Sequence, residues 1–339
     1  ETADLILLVE DGAVEPDVMD AALTYFLVTA CSFPFLGVYN AAAAQFRSMG
    51  RTSMTMYVSL MMNAVNIAGD FIGVSLLHAG VLGVAVPTLV SRGLAALAMS
   101  GLAFQTENPL RLSWRNILTW KRETVVRILH IAVPGGVENG LFALGKVLVT
   151  SVVSQFGTVQ IAANGVSNSI NQIAIIVVSA VNLAVITVVG QCVGAREYEQ
   201  AEYYTKKLMK VSYISTAILG GAVCLSLPLI LRLYRLEPET LQLAAVLIVM
   251  HNLLAVALHP TSFNLANSLR AAGDVKYTMY VGVLSMAVFR LGSAFLFGVV
   301  LNWGVIGVWI AMGMDWLARS MCFVWRYRRE VWRTASVIA

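Results

Sequence analysis

Phe46-Arg47-Ser48-Met49-Gly50 and Leu269-Arg270-Ala271-Ala272-Gly273 carry one turn twice, 223 residues apart, and each leads into a matching segment, Thr55-Met56-Tyr57-Val58 and Thr278-Met279-Tyr280-Val281. At a shift of 224, Gly80-Val81-Leu82-Gly83-Val84 falls on Gly304-Val305-Ile306-Gly307-Val308. Self-similarity at a long fixed spacing marks a duplicated structural unit. Each copy covers a helix, a basic turn and a helical hairpin. If both Arg turns lie on one side of a membrane, the copies run in the same direction, related by an axis along the membrane normal. Two such halves around a central cavity form a transporter arrangement.

The composition supplies the membrane. Of 339 residues, 58% are hydrophobic and 12% charged, against about 25% charged in soluble domains. A single water-soluble core cannot hide that apolar excess, and the low charge excludes disorder. A membrane-crossing helix needs about 20 mostly apolar residues, and nine windows qualify: 17–44, 54–77, 80–104, 124–155, 160–190, 205–233, 240–268, 276–300 and 303–326. The fold class is therefore an all-α polytopic membrane protein. The connection 105–123, with Arg111, Arg115, Lys121 and Arg122, is expected to be an interfacial helix or linker.

Lys and Arg are unequally shared between alternate loops, with 17 of the 23 on the side of Arg47, Arg122, Lys206, Arg270 and Arg328, and only Arg232 and Arg235 in loops on the other. The positive-inside rule makes the first side cytoplasmic, the C-terminus included. The basic residues are thus an orientation code rather than a nucleic-acid footprint. The chain starts at Glu1 without an initiator Met, and Asp4 to Val9 resemble the outer end of an apolar span. Symmetry with the second half predicts three spans before residue 17, so nine of a presumed twelve are present. The expected division is a first-lobe remnant over 1–104, a cytoplasmic linker over 105–123, and a complete six-helix lobe with a basic tail over 124–339.

The motifs Pro134-Gly135-Gly136-Val137-Glu138-Asn139-Gly140-Leu141-Phe142, Ile161-Ala162-Ala163-Asn164, Val189-Gly190-Gln191-Cys192-Val193-Gly194-Ala195 and Leu269-Arg270-Ala271-Ala272-Gly273-Asp274 resemble those of the multidrug and toxic compound extrusion (MATE) family. The resemblance runs along essentially the whole chain. It implies a two-lobe, twelve-helix antiporter in the plasma (inner) membrane, exporting cationic or amphipathic compounds in exchange for H+ or Na+.

A charge at mid-bilayer costs at least about 2.5–3.5 kcal/mol and needs a partner or a function. The mid-span charges are Asp70, Arg92, Glu138, Lys146, Arg290, Asp315 and Arg319, with His251 as a titratable neutral. Arg290 and Asp315 lie about equally far from the turn at Asn302, and Asp70 and Arg92 flank the turn near His78. Both are candidate buried ion pairs. Glu138, after Pro134 and two glycines that favour a kink, is the leading ion-coupling candidate, because an acid in an apolar cavity can take up a proton or release it to hold a cation. Lys146, two turns along and too distant for a simple contact with it, is a further ion-coupling candidate. His251 is a second candidate for proton exchange. The resemblance implies an acid on the span 240–268, where this chain has His251 and Asn252, and that departure favours protons over sodium. Asn139, Phe142, Asn164, Asn168 and Gln172, with Asn171, are candidates for lining a polar and aromatic cavity, or else for bonding helices together.

Gly140 to Val147 fits a phosphate loop until Val147 replaces the Ser or Thr that would hold magnesium. Cys31, Cys192, Cys224 and Cys322 have no ligand spacing. No catalytic, cofactor or metal site is expected beyond the coupling ion, and the expected state is a monomer. A flippase for lipid-linked sugars would favour a strongly basic cavity, and an integral-membrane enzyme a cluster of catalytic groups at one membrane face.

Overall fold

The computed structural model describes residues 16–105, 121–234 and 236–333. Asp4 to Val9, most of the 105–123 connection and Arg235 lie outside them. Contacts divide the chain into two units, Glu1–Val125 and Val126–Ala339. The first contains α1 (Pro16–Cys31), α2 (Phe33–Ser48), α3 (Thr52–Phe71) and α4 (Leu82–Ala103). The second follows α5 (Arg122–Val153), which straddles the boundary, with α6 (Thr158–Gly194), α7 (Tyr198–Leu233), α8 (Pro238–His259), α9 (Leu265–Ala271), α10 (Val275–Ser285) and α11 (Gly304–Arg328). Among the described residues, eight helical runs are long and apolar enough to cross a bilayer, and α1 with α2 forms a ninth bent by 41°.

The window expected over 17–44 thus falls on two helices with a bend between them. Pro34 at the start of α2 has no N–H to give to the preceding turn, and Ser32 Oγ bonds back to the Thr29 carbonyl at 2.5 Å. α5 runs as one helix through Pro134.

The repeat extends to individual hydrogen bonds. Gly50 and Gly273 sit at φ +74° and +98°, where a side chain would be strained. Each gives its N–H at 3.0 Å to the matching arginine carbonyl, Arg47 or Arg270, and Arg51 and Asp274 bond back at 3.0 Å to Phe46 and Leu269. At the hairpin, Leu77 bonds Ile72 at 2.9 Å and Ala79 bonds Gly73 at 3.0 Å. Their counterparts 224 residues on, Leu301 to Leu296 and Trp303 to Phe297, have the same lengths.

The shift grows from 223 to 224 between Val281 and Leu296, so the second copy has one extra residue there. Across this interval α3 stays α-helical, whereas the second copy forms a π-helical turn, Met286–Gly292. A π turn bonds i to i−5 and so absorbs one residue more than an α turn. Arg290 lies inside it.

In each hairpin the helices touch through glycine, Gly73 against Gly83 and Phe297 against Gly307. A Cβ on Gly307 would stand 2.7 Å from the Phe297 carbonyl carbon. Gly307→Ala is expected to cost about 1–3 kcal/mol through overpacking, read as a lower thermal midpoint of the purified protein. An unchanged midpoint would show that the hairpin opens freely.

In the second unit α11 is central: 67% of its apolar window is buried, against 17–33% for the other spans of that unit. Val305, Val308, Trp309, Met312 and Trp316 on α11 pack with Ile170 of α6, Leu227 of α7 and Leu247 and Ile248 of α8. Outward faces carry Leu225, Leu229, Leu253 and Leu284, as lipid-facing helices require.

Candidate functional site

The deepest charges of the second unit converge on Asp315 of α11, which is fully buried. Its Oδ1 accepts from Ser285 Oγ at 2.5 Å and from Arg319 Nε at 2.8 Å, while Arg290 Nη1 lies 3.5 Å from Oδ2. Arg319 also donates to the Gly282 carbonyl at 2.9 Å. Asp315 is about 17 Å along α11 from Gly304 at the 1.5 Å rise, near the middle of a bilayer core of about 30 Å. One carboxylate thus faces two guanidinium groups at mid-depth. Arg319 belongs to this network through its i,i+4 spacing from Asp315, a sequence-level signal for such a pair.

Phe142 lies beneath this cluster rather than on a cavity wall. Arg319, Lys146 and Arg290 stand 5.0, 5.2 and 6.0 Å from its ring centre, within reach of cation–π attraction. Residues 138, 142, 145 and 149 share one face of α5 by helical spacing. That face meets α10 and its π turn: Glu138 packs on Gly282, and Gly145 on Met286.

Glu138 is 7% exposed. Its Oε1 pairs with Arg270 Nη2, and its Oε2 is buried with no partner among the described residues. Arg270 Nη1 continues to Asn267 Oδ1 at 2.7 Å, and Asn267 Nδ2 to Asn182 Oδ1 at 2.8 Å. The chain of polar groups ties α5, α9 and α6 together. Glu138 is not at mid-depth. Phe156, at the other end of the same span, packs near Gly298, and the intervening 18 residues rise about 27 Å. The acid therefore sits close to the Arg270 end of the span, because α5 begins four turns earlier, at Arg122, and its first part overhangs. Arg270, assigned only to orientation from the sequence, is the acid's partner, and Lys146 is not.

A cavity of about 250 Å³ opens between α5, α6, the π turn and α11, lined by Lys146, Val149, Thr150, Asn164, Asn168, Gln172, Arg290, Val308, Trp309 and Met312. Three of the amides expected in a cavity are on its wall. Asn164 also accepts from Trp309 Nε1 at 2.9 Å, whereas Asn171 is committed to Asn252 at 3.1 Å. Asn139 is exposed, bonds Gly135 of its own helix at 2.9 Å and lies two turns below Lys146, outside the cavity. His251 meets the rings of Trp309 and Trp316 edge-on at 5.7 and 5.4 Å, and its Nδ1 has no partner among the described residues.

The expected Asp70–Arg92 ion pair does not form. Asp70 Oδ1 accepts a long bond of 3.5 Å from Asn66, and Arg92 Nη1 donates to Ser32 Oγ at 2.6 Å. The α3–α4 register explains this. Asn66 meets Thr88 at 3.3 Å and Gly69 meets Pro87, so Arg92 lies about two turns from the level of Asp70 and is directed toward the α1–α2 break.

Among the described residues, no group of three or more His, Cys, Asp or Glu could hold a metal ion. Residues 7–72 and 134–296 match the family described as MatE. The uncharacterized transporter YisQ of Bacillus subtilis is 28% identical over 300 residues, 86% of this chain and 64% of YisQ. The probable multidrug resistance protein YoeA of Bacillus subtilis is 24% identical over 99% of this chain and 73% of YoeA. A solved structure of a multidrug resistance MATE family transporter in an outward-facing conformation superposes with a TM-score of 0.86 at 19% identity, covering 97% of this chain and 74% of that one. The chain thus spans just under two thirds of the length of YisQ.

Proposed function

Because the chain belongs to the MatE family, we propose that the protein is a secondary antiporter, exporting amphipathic compounds by alternating access in exchange for protons or, failing that, sodium. The observation that carries the coupling is Glu138: a buried carboxylate with one oxygen ion-paired to Arg270 and the other without a partner. The free oxygen is the place for a proton or a small cation. Occupying it weakens the hold on Arg270, which reaches α6 through Asn267 and Asn182, so the ion state is felt by three helices at one end of the lobe. In this reading that end is cytoplasmic, the protein is a multi-pass protein of the plasma (inner) membrane, and it works as a monomer. The presence of His251 and Asn252 where an acid is implied by the family favours protons.

The test is uptake or efflux of amphipathic dyes in vesicles holding the full-length protein, first under a proton gradient alone and then under a sodium gradient alone. Dye movement under the proton gradient only is expected. No movement under either would overturn the antiporter reading.

A second reading has one observation in its favour. A flippase for lipid-linked sugars favours a basic cavity, and Lys146 and Arg290 do share one wall. The relatives' names, multidrug resistance among them, favour efflux. Flipping of a fluorescent lipid-linked sugar without any dye movement would reverse that order.

A further inference from the structure

The cavity beside Lys146 and Arg290 has an electrostatic bias that the transport reading leaves unused. Both lining charges are positive, and no Asp or Glu is on its wall. Asp315 lies behind it and answers only part of this charge, because it already accepts from Ser285 and Arg319 and meets Arg290 at the longer distance of 3.5 Å. Lys146 has no ion-pair partner among the described residues and stands over the Phe142 ring at 5.2 Å. Lys146, Arg290 and Arg319 thus stand around one ring with a single carboxylate between them.

Lys146 is exposed and Arg290 keeps 14% of its side chain exposed, so both positive charges face the cavity, where a bound anion is attracted by the two together. We infer that this cavity binds an anionic head group carried on an apolar body, in preference to a cation. Lys146 and Arg290 supply the charge, Thr150, Asn168 and Gln172 add directional polar contacts, and Val308 and Met312 meet the apolar part. The extra residue of the second repeat fits the same role. The π turn it creates holds Arg290, so the inserted residue brings a guanidinium to a place where the first copy has no equivalent turn.

This inference names the substrate class for the transport reading and rests on it for the cavity's use, but binding is measured without any gradient. The probes share one fluorophore: dansylglycine as anion, its glycinamide as neutral counterpart, and dansylcadaverine as cation. They are titrated onto the full-length protein in phosphatidylcholine nanodiscs. Dansylglycine is expected to bind roughly tenfold more tightly than the amide, as one charge-assisted hydrogen bond would give. Lys146→Gln is expected to remove that preference without weakening the amide, and Lys146→Arg to keep it. Equal binding of anion and amide by the wild type, or a preference untouched by Lys146→Gln, would overturn the inference.

Repeating the titration with phosphatidylglycerol in the nanodisc separates the two sources of such a head group. Lysine-dependent displacement of dansylglycine assigns the site to lipid, and retained binding assigns it to free solutes. Both support an anion site. Intact anion binding with no gradient-driven transport would overturn the antiporter reading alone, and transport with no anion preference would overturn the site alone.

Discussion

Asp315→Asn is expected to destabilise the folded protein by about 3–5 kcal/mol, the range for removing one partner from a buried ion pair. Asn preserves the shape and can still accept from Ser285, so the loss isolates the charge. Two guanidinium groups then lie in the bundle with no carboxylate: Arg319, with 4% of its side chain exposed, and Arg290, with 14%. The readout is the monodisperse fraction surviving a heating series in detergent. Adding Arg319→Gln to Asp315→Asn should recover part of the loss, because it removes one of the stranded charges. A non-additive pair is the expected sign of direct contact. A variant with wild-type abundance and thermal midpoint but no transport would sink the structural role and make Asp315 a coupling carboxylate.

Glu138→Gln is expected to reduce gradient-driven dye efflux by about tenfold or more, within the usual range of coupling between sites, while dye still equilibrates down its own gradient. Gln fills the same space against Gly282 and can still accept from Arg270. What it loses is the charge and the ability to exchange a proton at the second oxygen. The two variants are distinguishable because their charges sit at different depths. Asp315 has two guanidinium neighbours at mid-bundle, whereas Glu138 has one, at a helix end. Retention of gradient-driven efflux by Glu138→Gln would remove Glu138 from the coupling role.

The pairings that sequence spacing could anticipate were those set along one helix or across one tight hairpin. Asp315 and Arg319 are one turn apart on α11, and Arg290 and Asp315 flank a tight turn at similar distances, so their approach follows from rise per residue. The same counting misled at Asp70 and Arg92, whose distances from their turn differ by more than one helical turn and whose side chains are directed to different neighbours. Glu138 shows the other limit. Its place on an apolar run suggested mid-membrane depth, but depth depends on where the helix begins to overhang, and that is set by what it packs against. Arg270 carried two messages at once, and only its topological one was visible in a loop count.

Hydropathy and self-similarity are local or translational properties of a chain, and they alone establish an all-helical membrane protein built from a repeated unit, with matching turns at Gly50 and Gly273. A one-residue change in the spacing of that repeat is equally visible in the residues. That the extra residue becomes a π turn, that the turn brings Arg290 to Asp315 and to the cavity of Lys146, and that Glu138 meets Arg270 were settled only by tertiary packing. Those contacts join side chains on different helices, and their partners depend on helix rotation and axial offset, which hydrophobic periodicity leaves free.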